Sequence, residues 1–143
     1  MARTLRTLTP TDERRLFAGF AVQPFLAAGL TVVLYQFVYP NSSPAGHAGP
    51  SLAVLAHAIY FGVAALFITI ACAFPTVVWL VKRRPVPLAF ALAFGLAVGN
   101  LPVVLAALRG GGGFRLHVFA SVLGLVGAAA FWLISIRGHD FSR

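Results

Sequence analysis

The sequence predicts an all-α integral membrane protein, a four-helix transmembrane bundle made of two antiparallel hairpins. Three observations lead there. First, four long apolar segments, Leu16–Tyr39, Ser51–Val81, Val86–Leu108 and Phe114–Ile136, fill most of the 143 residues. Each reaches the roughly 20 residues a helix needs to cross the hydrocarbon of a bilayer. Second, none of the four contains an aspartate or glutamate, and only 10% of the chain is charged, against about 25% in soluble domains. Third, the basic residues are sorted. Arg3, Arg6, Arg14, Arg15, Lys82, Arg83, Arg84, Arg137 and Arg143 fall on one side of the predicted spans, and Arg109 and Arg115 on the other. That asymmetry is the positive-inside pattern, and it places both termini in the cytoplasm. The net charge of +8 is therefore read as topology, and no nucleic-acid partner is expected.

The segments follow in order. Residues 1–15 are expected to form a polar cytoplasmic tail in which Thr11, followed by Asp12 and Glu13, marks a helix start, with acids at the positive end of the helix dipole. The first apolar run is longer than the 7–15 residues typical of a signal-peptide core, so it reads as a retained helix; Ala45–Ala48 only loosely resembles a cleavage site. The loop of residues 40–50 is rich in Pro, Gly, Asn and Ser, a turn composition. Lys82, Arg83, Arg84 and Pro85 form a cytoplasmic turn, and Gly110–Gly113 an outer one. Residues 16–137 thus hold the four-span domain, and 138–143 a second cytoplasmic tail. Trp79 and Trp132 mark the cytoplasmic membrane edge, and Tyr35, Tyr39 and Tyr60 the opposite one, because such rings prefer the headgroup level.

Polar residues within the spans are the candidate sites. Counting about 1.5 Å per residue, Thr31, Thr69, Asn100 and Ser121 fall in one outer-leaflet layer, one from each helix. Gln23 and Thr76 lie lower, and Cys72, the sole cysteine, slightly above them. Such groups either bond between helices or line a polar path. Pro24, Pro75 and Pro102 each remove a backbone hydrogen bond inside a span. Gly95 and Gly99 form a GxxxG segment, and Ala120, Gly124 and Ala128 a matching small-residue stripe. These predict close packing of the third and fourth helices, or an oligomer face.

The acids Asp12, Glu13 and Asp140 all lie outside the spans. Proton-coupled transport normally needs an ionisable group near mid-membrane, and carboxylate hydrolysis a placed acid or base. No Walker loop, HExxH or GxSxG pattern occurs. No catalytic residue and no resident cofactor are expected. His57 and His117 open the second and fourth helices at the same outer level. As a pair they could ligate a haem b iron, or with His47 a metal; otherwise they are interfacial residues.

The run Phe74-Pro75-Thr76-Val77-Val78-Trp79-Leu80-Val81-Lys82-Arg83-Arg84, with Gly95, Gly99, Leu101 and Pro102, then Gly124, Gly127, Phe131 and Trp132, resembles a group of small four-helix bacterial inner-membrane proteins of unknown function. The resemblance covers the second half of the chain. It implies a four-helix fold in the bacterial cell inner membrane and brings no activity with it.

The leading expectation is a non-catalytic accessory or interaction subunit of the bacterial inner membrane, packing through its small-residue helix faces against other membrane proteins or copies of itself within the lipid bilayer. A small oligomeric transporter or channel for a neutral or lipid-like solute is the alternative, with the polar layer as its path. A haem- or metal-binding redox subunit is a third.

Overall fold

The computed structural model describes residues 8–38, 52–83, 86–108, 110 and 113–137. The regular structure among them is wholly helical. Helix α1 spans Pro10–Val38. Helix α2 is built from three consecutive stretches: Leu52–Ile68, a π-helical turn over Thr69–Ala73, and Phe74–Val81. Helix α3 spans Leu88–Ala107. Helix α4 spans Phe114–Phe131 and ends in a second π-helical turn, Trp132–Ile136.

The start of α1 differs from the sequence expectation, and the cap explains why. The Thr9 backbone N–H donates to Asp12 Oδ2 (2.8 Å), and the Asp12 N–H donates back to Thr9 Oγ1 (3.2 Å). This reciprocal capping box satisfies donors that the first turn leaves free, with aspartate in the place more often held by glutamate. Pro10 then sits at the first helical position, where its missing N–H costs nothing. Thr11 lies inside the helix rather than at its start, and residues 10–15 form its opening turns. Residues 1–7, 39–51 and 138–143 lie outside the described residues.

The first π turn has a local cause. Pro75 lacks an N–H, and its ring would crowd the carbonyl one turn back. The helix widens immediately before it, and the Phe74 N–H bonds to the Thr69 carbonyl, five residues back. At the other π turn, the Arg137 N–H donates to the Trp132 carbonyl at 2.8 Å before the backbone leaves helical geometry.

Helix α1 packs against both α2 and α4, and α3 packs against α4. Helices α2 and α3 follow one another in sequence but approach each other little. The bundle therefore runs α2, α1, α4, α3, with a gap where α2 and α3 would meet. A cluster of Leu16, Phe20, Val77, Leu80, Val81, Val86, Ala91, Phe131 and Ile136, drawn from all four helices, closes one end of that gap.

Between 11% and 28% of each span is buried within the chain. The rest faces outward and is apolar: Phe25, Leu108 and Phe114 are each more than three-quarters exposed. All four helices are long and apolar enough to cross a membrane. Water would penalise such a surface at about 25 cal/mol per Å², whereas hydrocarbon does not. The chain has the surface of a multi-pass membrane protein.

Candidate functional site: an apolar crevice between two helices

The close contacts define the site by contrast. Along the α3–α4 seam, a Cβ on Gly95 would collide with the Gly124 carbonyl and the Ala128 methyl. On Gly99 it would stand 2.8 Å from both the Ala120 carbonyl and the Gly124 Cα. The backbones approach this closely because glycine and alanine leave room. Gly95, Gly99, Ala120, Gly124 and Ala128 thus share one interface within the chain.

The α1–α4 contact uses glycine and hydrogen bonds together. Gln23 Nε2 donates to the Gly19 carbonyl on its own helix and to the Gly127 carbonyl on α4, both at 3.1 Å. A Cβ on Gly127 would stand 2.5 Å from Gln23 Oε1. Ser135, fully buried, donates to the Arg15 carbonyl at 2.9 Å, and a side chain at Gly19 would strike it. Trp132 Nε1 reaches the Val86 carbonyl at 3.1 Å and ties the start of α3 to the end of α4.

The predicted polar layer is divided among three environments. Asn100 Nδ2 donates to the Leu96 carbonyl (3.0 Å) and to Ser121 Oγ (2.9 Å). Ser121 Oγ donates in turn to the His117 carbonyl (2.7 Å), and His117 Nδ1 lies 3.3 Å from Asn100 Oδ1. These three side chains form one network across α3 and α4. Thr31, buried on α1, donates to the Ala27 carbonyl of its own helix at 2.7 Å. Thr69 is buried on α2 and faces the gap. Thr76 donates back to the Cys72 carbonyl.

His57 packs its ring edge-on against Tyr35, with centroids 5.4 Å apart, whereas His117 belongs to the Asn100 network. His47 lies outside the described residues, as does Arg109. Among the described residues no three His, Cys, Asp or Glu side chains converge as a metal site would require.

The gap between α2 and α3 is a crevice of about 150 Å³. Its walls are Phe61, Ala64, Ala65 and Ile68 on α2, and Phe90, Phe94, Val98 and Pro102 on α3. Helices α1 and α4 form its back, and Gln23 and Thr69 are the polar side chains on its lining. Phe90 to Pro102 is twelve residues, about 18 Å of helix, so the crevice follows much of the hydrocarbon thickness. It takes shape-matched apolar groups and offers few hydrogen bonds.

The sequence places Gln23 at its depth but cannot show that its amide reaches Gly127. It contains no sign of the crevice, because every apolar residue there reads as ordinary span. No family model, curated protein or solved structure matches the chain.

Proposed function

We propose that this protein is a non-catalytic accessory subunit of the bacterial inner membrane, with both termini cytoplasmic and its helices paired as two antiparallel hairpins. The observation that carries this reading is the crevice. The small-residue stripes are consumed inside the chain by the α3–α4 seam, so they are not spare surface. What remains is a slot between α2 and α3 of about 150 Å³. It is too narrow for a helix and suited to side chains from a helix lying along its mouth, as knobs fit holes in packed bundles. In lipid, such packing and a few hydrogen bonds drive association.

The test is a gentle-detergent isolation of the tagged chain, combined with photo-crosslinking from Ala65 and Phe94. A stoichiometric assembly whose partner crosslinks from both walls supports the reading. A chain that runs alone as a monomer or dimer, with no crosslink from either wall, overturns it. Reporter fusions at the two termini test the orientation separately.

The crevice also favours a second reading, a carrier for a lipid-like solute, because it opens sideways along much of the membrane thickness. Proteoliposomes containing the chain would then move a fluorescent lipid between leaflets faster than empty vesicles. Equal rates would remove this reading.

A further inference from the structure

We propose that a groove at the interfacial end of α1 and α2 binds a phospholipid whose headgroup carries both a phosphate and a primary amine. The groove is separate from the crevice. Phe20 lines the crevice and Phe74 lines the groove, and the two rings meet edge to face at 5.4 Å, forming a partition between them. The groove is an open depression with about 580 Å³ of space along its lining.

Its composition changes along the membrane normal. Leu16, Phe17, Phe74 and Val78 form an apolar floor. Glu13, Arg14 and Lys82 form a charged rim, with Leu8 and Pro10 beside it. Glu13 and Arg14 lie in the opening turns of α1, and Lys82 caps the end of α2 just beyond Trp79. The rim is therefore at headgroup level and the floor faces the first acyl carbons. A glycerophospholipid has the same order of parts.

The charges select among headgroups. Neighbours in sequence on a helix point apart, and among the described residues no ion pair joins Glu13 to Arg14 or Lys82. Two cations and one anion thus remain available around one groove. A phosphate between Arg14 and Lys82 satisfies the cations. Glu13 then needs a cation that donates hydrogen bonds. A primary ammonium supplies both charge and N–H groups. A quaternary ammonium has no N–H, and a glycerol headgroup has no positive charge. This site is independent of any partner protein at the crevice.

The experiment is native mass spectrometry of the full chain with equal amounts of phosphatidylethanolamine, phosphatidylcholine and phosphatidylglycerol bearing identical acyl chains. The unmodified protein should retain phosphatidylethanolamine several-fold over the other two. Glu13→Gln should keep lipid bound but lose that preference. Arg14→Gln with Lys82→Gln should lower total retention by roughly thirtyfold, given about 1 kcal/mol per basic residue at the membrane surface. Equal retention of the three lipids by the unmodified protein overturns the proposal, and so does an unchanged preference in Glu13→Gln. If a variant loses its helical circular dichroism, the competition on the unmodified chain still decides.

Discussion

The seam between α3 and α4 and the gap between α2 and α3 are built from equally apolar helices, yet one closes to backbone contact and the other stays open. In water both would close, because burying any apolar surface is favourable. Lipid is as apolar as leucine, so hydrophobicity gives no such drive, and packing and hydrogen bonds decide. Gly95 and Gly99 let α4 approach, and the Asn100–Ser121–His117 network adds polar contacts between the same two helices. Toward α2, helix α3 presents the larger Phe90, Phe94 and Val98 on the crevice wall, and the two helices approach each other little. The helices therefore contact one another where their residues are small or hydrogen-bonded, not where they are most hydrophobic.

That contrast can be attacked at three places. The largest effect is expected from Gly124→Leu, since even a Cβ there would run into the Gly95 carbonyl. Forced overpacking costs about 1–3 kcal/mol or more, and rigid backbone leaves little room to relax. Reversible unfolding in mixed detergent micelles should show a loss at the upper end of that range. Stability equal to the unmodified chain would mean the seam is not a true close contact.

A smaller loss is expected from Gln23→Leu. It removes the bond to the Gly127 carbonyl while keeping a side chain of similar length. Interhelical hydrogen bonds in membranes are worth about 0.6 kcal/mol on average and up to about 1.7, and the same unfolding measurement should fall within that span. A neutral result would leave glycine packing, the Ser135–Arg15 bond and the Phe20–Phe131 ring contact to hold α1 to α4.

The smallest effect on stability is expected from Ala65→Leu in the crevice wall. The added atoms enter open space, so the change should stay within about 0.5 kcal/mol, while crosslinking of a partner from Phe94 should drop sharply. A destabilisation comparable to Gly124→Leu would show that the gap is already closed.

The sequence carried the four spans because hydropathy integrates over about 20 residues and tolerates local error. It misplaced the beginning of α1 because caps depend on which hydroxyl meets which N–H. Thr9 and Thr11 are equal candidates until Asp12 is seen bonding back to Thr9. The depth count set Thr31, Thr69, Asn100 and Ser121 at one level, but depth says nothing about azimuth. Only Asn100 and Ser121 bond to each other, Thr31 turns to its own backbone, and Thr69 faces the crevice. The crevice itself depends on helix order around the bundle, which short connections do not specify.

The π turn at Thr69–Ala73 has a consequence for which mutations the chain can absorb. Below it, the crevice wall passes through Ala73 and Val77, whereas Cys72 and Thr76, which would take over that face if the same residues wound as a regular α-helix, are not on the lining. Deleting a single residue from this turn would restore regular winding. It would leave Phe61, Ala65 and Ile68 on the face they share with Ala73 and Val77, because the wide turn already offsets the roughly 100° that one residue adds. A deletion here is therefore absorbed, whereas the same deletion within the regular stretch Leu52–Ile68 would rotate everything upstream of it by about 100° and swing it to face a different neighbour while its composition stays almost unchanged.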